Sequence, residues 1–196
     1  MTVHAPPLLL ASTSPYRAEL LGRLGLPFET RTPGVDESPR PGEPPPAYVE
    51  RLARDKAQAV HRQAPGSIVV GADQAALLDG RVLGKPGTEA SARQQLRAAS
   101  GRALQFLTGL AVAGPEPDRV DSEVVPFRVV FRQLSEAEIA AYVARDRPLD
   151  CAGSFRAEGL GIALFQRLEG DDPAALVGLP LIRLVDLLGA AGLRVL

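Results

Sequence analysis

The chain is poor in the residues that most often make metal centres and disulfides. It has one cysteine, Cys151, in 196 residues, which excludes an intramolecular disulfide and any cysteine-rich zinc site. It has two histidines, His4 and His61, far apart in sequence, which argues against a histidine-built metal site. Tryptophan is absent, and aromatic residues make up only 5%. No apolar run approaches the roughly 18 residues of a membrane span. The start lacks a basic segment followed by a long apolar one, so no signal peptide is expected. A formal net charge of −1 gives no electrostatic case for nucleic-acid or anionic-membrane partners. Hydrophobic residues reach 45%, enough for a core. The expectation is a cytoplasmic protein of one domain, or one domain with two lobes, and any metal it uses should be a hard, oxygen-liganded ion such as magnesium or manganese.

The stretch at residues 8–22, LLLASTSPYRAELLG, organises the rest. A short apolar run suits a buried strand. Ser14 before Pro15 suits an N-cap followed by proline at the first helical position, and Leu20, Leu21 and Leu24 fall on one helix side. Backbone N–H groups at such a helix start favour an anion, and Arg17 could add a charge-assisted bond. A capped helix with a solvated arginine explains the same residues.

A second strand is expected over residues 28–32. Residues 33–46 hold six prolines and must be loop; Asp36 and Glu37 lie near its start. Residues 46–63 read as a helix with Val49, Leu52, Ala53 and Val60 on its apolar face. Lys56 falls near that face and either snorkels to solvent or points into a cleft. Residues 67–74, SIVVGADQ, read as a strand whose far end carries Asp73, where ligands sit in α/β proteins. A hairpin over 75–83 turns at Asp79-Gly80. Lys85 follows, pinned between glycine and proline. Thr88 caps a helix to Ser100, residues 103–113 form a strand, and 114–118 a turn. Residues 123–133 alternate, with Phe127, Val129 and Phe131 on one face and Arg128 and Arg132 on the other, pointing to a mixed or antiparallel sheet. Ser135 to Glu138 is a capping box. Residues 151–161, CAGSFRAEGLG, hold Glu158 among small residues. Residues 162–165 read as a strand, 169–173 as a polar loop, and the last helix places Leu181, Leu184, Val185 and Leu188 on one face.

Taken in order, LLLASTSPYR, VDE at 35–37, RLARDKA at 51–57, GADQ at 71–74, GKP at 84–86, AGSF at 152–155, EGLG at 158–161 and LVGLPL at 176–181 resemble the Maf family of nucleotide pyrophosphatases over nearly the whole chain. The resemblance implies an α/β fold with two lobes, a central mixed, twisted sheet flanked by helices and a cleft between the lobes, within a single domain over residues 1–196. It implies hydrolysis of nucleoside triphosphates between the α and β phosphates with a divalent metal. It implies Asp73 as the catalytic acid that activates water. Ser12, Ser14 and Arg17 then look like phosphate ligands, Lys56 and Lys85 like further triphosphate contacts, and Glu37 like part of the acidic set near the metal.

Three positions separate substrate classes in that family. Where the dTTP and UTP branch carries arginine, threonine and glutamine, this chain carries Tyr16, Gln74 and Glu158. The 7-methyl-GTP branch carries an aromatic, glutamine and glutamate, which this sequence follows, with tyrosine in place of the usual tryptophan. Ala18 replaces a second basic residue that often follows Arg17. An aromatic face suits the positive charge that N7-methylation puts on guanine, and a carboxylate accepts from both N–H donors of the guanine edge. The expected function is pyrophosphatase action on 7-methyl-GTP, a house-cleaning activity, with a small-molecule nucleotide as partner and a homodimer as an allowed assembly. The alternatives are another base preference, such as dTTP or UTP, or a nucleotide-binding regulator of cell division.

Overall fold

A computed structural model describes residues 6–116 and 119–196. His4 lies outside the described residues, as do Pro117 and Asp118, the end of the expected 114–118 turn. The described strands join one mixed seven-stranded sheet, and five α-helices accompany it. They are β1 Leu8–Ala11, β2 Glu29–Arg31, β3 Ile68–Leu78, β4 Arg81–Leu83, β5 Ala103–Ala113, β6 Val120–Phe131 and β7 Phe165–Glu169. The helices are α1 Pro15–Gly22, α2 Pro45–Gln63, α3 Glu89–Ala99, α4 Glu136–Asp146 and α5 Leu181–Ala190. The sheet order is β2-β1-β3-β5-β6-β7, with β4 paired to β3. Strand β1 runs parallel to both β2 and β3; the β3–β4 and β6–β7 pairs are antiparallel. No helix among the described residues is long and apolar enough to cross a membrane.

Two compact units divide the chain. The first comprises Met1–Gln74, Thr108–Val125 and Gly178–Leu196; the second comprises Ala75–Leu107 and Pro126–Val177. In the first, α2 lies against the sheet. Its Ala53, Ala57 and Val60 pack on Leu9, Ala11, Val69, Ala111 and Ala113. Side chains two residues apart share a strand face, so Val69 and Gly71 of β3, and Gly109, Ala111 and Ala113 of β5, look at α2. Both glycines are needed there. A Cβ on Gly71 would stand 2.2 Å from the Ala53 carbonyl oxygen, and one on Gly109 would stand 2.1 Å from that of Val49. Small residues thus bring the helix backbone directly onto the sheet.

The second unit is built around aromatic rings. Phe155 meets Phe106, Phe131 and Phe165 edge-to-face, with centroids 5.4, 5.5 and 4.9 Å away, the geometry that ring quadrupoles favour. The β3–β4 hairpin turns through Asp79 and Gly80, both at positive φ, as a two-residue primed turn requires. Helix α4 opens with the full capping box at Ser135 and Glu138.

Three sequence expectations need correction. Strand β3 does not end near Asp73. It runs on to Leu78 because Ala75 to Leu78 stay buried and three of them pair with β4, so Asp73 is a mid-strand residue. The strand expected over residues 162–165 begins only at Phe165. Residues Leu160–Leu164 form a 3₁₀ turn and β7 begins at Phe165; the alternating Leu160, Ile162 and Leu164 imitate a strand, yet Ile162 is 56% exposed. On α5, Leu184 and Leu188 are buried, but Val185, at the edge of the stripe, is 37% exposed.

Candidate active site

Lys56 is the centre of the site in the first unit. It occupies the sheet-facing side of α2, between Ala53 and Ala57, and only 5% of it is exposed. Of the two orientations open to it from sequence, the inward one is realised. A buried ammonium needs paired charge, and two carboxylates provide it. Asp73 Oδ1 lies 2.7 Å from Nζ and Glu37 Oε1 lies 2.8 Å from it. Asp73 reaches this point because it follows Gly71 by two residues on the same face of β3, and it is itself 8% exposed. Its Oδ2 accepts no hydrogen bond from a described residue.

The turn between β1 and α1 is ordered by its own hydroxyls. Ser12 Oγ accepts from the Ser14 amide at 3.1 Å, and Ser14 Oγ accepts from the Arg17 amide at 3.4 Å. These two N–H groups, expected to be open to an anion, are therefore occupied. Each hydroxyl keeps its own proton to donate. Arg17 is half-buried, and its Nε donates to the Gly178 carbonyl at 2.9 Å. Gly178 has φ +109, and a Cβ there would crowd Arg17 Nε at 3.3 Å. Burial pulls the Arg17 pKa below its ordinary value, and the charges of Asp73 and Glu37 oppose that shift. The guanidinium therefore belongs to the same electrostatic cluster as Lys56. Tyr16 is half-buried beside it in the first turn of α1. Gln74 donates through Nε2 to Thr108 Oγ1 at 3.0 Å, across from β3 to β5.

Glu37 sits on the proline-rich loop, which α2 holds by two side chains that sequence reasoning had not singled out. Arg51 grips Glu43 with two bonds, Nε to Oε1 at 2.6 Å and Nη2 to Oε2 at 2.8 Å. It also donates to the Ser38 carbonyl at 3.2 Å and lies over the Tyr48 ring at 5.6 Å. Tyr48 donates its hydroxyl to the Glu37 carbonyl at 2.9 Å. Burial, with Asp73 and Glu37 adding negative charge nearby, raises the Tyr48 pKa, which keeps the donor protonated. The Arg51 fork depresses the Glu43 carboxyl to a pKa of about 2. A groove of about 450 Å³ borders this loop, lined by Asp36, Arg40, Arg51, Asp55 and Arg62 among others. It includes none of Ser12, Lys56 or Asp73.

Lys85 and Glu158 belong to the second unit. Lys85 is exposed in the turn after β4. Glu158 is exposed in a turn held from below. Tyr142 donates to Asp146 Oδ2 at 2.7 Å and accepts from the Arg156 amide at 3.0 Å. Arg156 donates onward to the Asp146 carbonyl and to Asp150 Oδ1, both at 3.1 Å. Burial raises the Tyr142 pKa, with the Asp146 bond adding to it. Gly161 permits the fold-back, since a Cβ would stand 2.2 Å from the Arg156 carbonyl oxygen.

Among the described residues no group of three His, Cys, Asp or Glu side chains could hold a metal by itself. The paired carboxylates of Glu37 and Asp73 suit the other mode, in which a hard cation takes one or two carboxylates and completes its shell with phosphate oxygens and water.

A family model described as Maf-like protein matches residues 7–191. The chain is 59% identical over 187 residues to the 7-methyl-GTP pyrophosphatase of Alkalilimnicola ehrlichii, covering 95% of this chain and 94% of that one. It is 56% identical over 193 residues to the protein of the same description from Nitrosococcus oceani, covering 98% and 97%. A Mycobacterium abscessus structure described as a nucleoside-triphosphatase / dITP/XTP pyrophosphatase covers 73% of this chain and 96% of its own, at 20% identity. Its TM-score is 0.43.

Proposed function

The chain belongs to the Maf family, and from that membership we propose that it hydrolyses 7-methyl-GTP to 7-methyl-GMP and diphosphate. The reaction class is hydrolysis of a phosphoric anhydride. One observation carries the reading: Asp73 and Glu37 converge on the buried Lys56 ammonium, with the Arg17 charge alongside. A triphosphate brings about four negative charges, so attack on it calls for cations and donors that spread them.

In this reading Lys56 fixes Asp73 by Oδ1, and Oδ2 takes the proton of the attacking water. The water oxygen bonds to the α-phosphorus, the bond from that phosphorus to the bridging oxygen breaks, and diphosphate leaves. Ser12, Ser14, Arg17 and Lys85 donate to phosphate oxygens. Glu37 would hold magnesium or manganese, which supplies Lewis-acid charge to the phosphates when bound. Tyr16 and Glu158 select the base, the ring against the charged purine and the carboxylate on its two N–H donors. The close relatives described as 7-methyl-GTP pyrophosphatases support this choice.

The test is diphosphate release from 7-methyl-GTP, GTP, dTTP and UTP with magnesium or manganese, repeated after exhaustive chelation. The expected result is highest efficiency on 7-methyl-GTP, loss on chelation and recovery with either ion. A preference for dTTP or UTP would move the chain to the other branch. Release of orthophosphate in place of diphosphate would refute the reaction, and full activity after chelation would remove the metal.

A further inference from the structure

Lys85 and Glu158 lie 73 positions apart, yet one side chain touches both of the segments that carry them. Gln95, on α3, donates through Nε2 to the Gly84 carbonyl at 3.0 Å and accepts through Oε1 from Ser154 Oγ at 2.5 Å. The amide orientation is fixed by chemistry. The Gly84 carbonyl can only accept, so nitrogen must face it and oxygen must face the hydroxyl.

The Ser154 contact falls at a conformationally demanding place. Ser154 is fully buried and has φ +63, a region that few non-glycine residues occupy. A buried hydroxyl requires a partner, and Gln95 is that partner. On one side of Ser154 its amide donates to the Cys151 carbonyl. On the other, Phe155 enters the aromatic cluster and Arg156 is tied to Tyr142, two residues before Glu158. The turn bearing Lys85 also makes a backbone bond: the Gly87 amide donates to the Leu149 carbonyl at 3.0 Å. Gln95 lies in none of the motifs that carry the family resemblance.

We infer that Gln95 is a positioning residue: it sets Lys85 against Glu158 and so matches the phosphate contact to the base contact. The inference rests on the roles proposed above for those two residues. Its substitutions separate the two arms. Gln95→Leu removes both bonds. Gln95→Glu keeps an acceptor for Ser154 but turns a carboxylate oxygen on the Gly84 carbonyl. Ser154→Ala removes the hydroxyl alone.

The experiment measures kcat and KM on 7-methyl-GTP and dTTP, and calorimetric affinity for 7-methyl-GMP and for inorganic tripolyphosphate. Misplacement of binding groups by about 1 Å costs on the order of 10²-fold. Gln95→Leu should accordingly raise KM for 7-methyl-GTP by about 10- to 100-fold, with kcat within about 3-fold. Gln95→Glu should weaken tripolyphosphate and spare 7-methyl-GMP, and Ser154→Ala should do the reverse. Should Gln95→Leu fail to fold, that opposed pair decides the matter. Equal losses on both probes in Gln95→Glu and Ser154→Ala, or a lowered Tm with kinetics and affinities unchanged, overturn the bridge. A parent that prefers 7-methyl-GTP with indifferent variants overturns the bridge alone. A parent that neither binds nor hydrolyses it overturns the functional reading and the bridge with it.

Discussion

Gly71 and Asp73 share one face of β3, and the first makes the second usable. Gly71 lets the α2 backbone close onto the strand at Ala53 and Ala57. Two residues on, the carboxylate of Asp73 meets Lys56 from that same helix at 2.7 Å. Packing and chemistry are thus set by one spacing of two residues.

Gly71→Ala should therefore damage both. The new methyl would stand 2.2 Å from backbone oxygen, so the helix itself must shift, and overpacking of this kind costs about 1–3 kcal/mol. The expected outcome is a lower Tm together with a fall in kcat, since Lys56 moves with the helix. Thermal melting and steady-state kinetics check it; an unchanged kcat in a folded variant would separate the helix approach from the site.

Asp73→Asn keeps the shape and removes the proposed base. Turnover should drop by roughly 10²–10⁴-fold, while nucleotide affinity should hold, because Lys56 keeps Glu37 as its counter-charge and the triphosphate loses a repelling carboxylate. Single-turnover rates and calorimetric affinity distinguish these. A variant that turns over at the parent rate would exclude Asp73 as the base.

The strand-to-helix entry at Ser14-Pro15, the proline-rich loop before α2, the apolar face of α2, the hairpin at Asp79-Gly80 and the capping box at Ser135 were all legible in the sequence. Each is written in neighbouring residues, as periodicity, a cap or a turn. What was not legible depends on distant partners. Lys56 sits on an apolar face either way; only the arrival of Asp73 and Glu37 decides that it turns inward. Arg51, Tyr48 and Glu43 brace the Glu37 loop through bonds spanning 8 to 13 positions, with no local pattern to mark them. Gly71 could have been flagged, as a glycine interrupting a buried strand signals close backbone approach. The extension of β3 past Gln74 and the 3₁₀ turn at Leu160–Leu164 were missed because burial and pairing overrode the local pattern.

The brace of the Glu37 loop should weaken in acid. The Glu43 carboxyl is held at about 2 by Arg51. A group whose folded pKa is depressed contributes stability above its unfolded value and loses it as pH falls toward the folded one. The Arg51–Glu43 contribution should be intact above about pH 4.5 and decline toward pH 2. Proteolysis of the 33–44 loop by an acid-active protease, compared between the parent and Glu43→Gln, reads this directly. The parent should be the more resistant at pH 4.5, and the two should converge toward pH 2. Curves that stay parallel would remove Glu43 as the brace.

Base selection is tested at Glu158 and Tyr16. A carboxylate at residue 158 can accept from both N–H donors of the guanine edge, each charge-assisted bond being worth about 1.5–3 kcal/mol. Glu158→Gln turns one acceptor into a donor that faces a donor. Efficiency on 7-methyl-GTP should fall roughly 10- to 1000-fold, with a much smaller change on dTTP and UTP, because a site built for a hydrogen-bonding edge loses most on the substrate that has it. Tyr16→Ala should hurt 7-methyl-GTP more than GTP, since only the methylated ring carries the charge that an aromatic face attracts. The margin should be modest, tyrosine offering a weaker face than tryptophan. Efficiencies on 7-methyl-GTP, GTP, dTTP and UTP for the parent and both variants decide the point. If both variants slow all four nucleotides equally, Glu158 and Tyr16 do not read the base, and the preference must come from elsewhere in the chain.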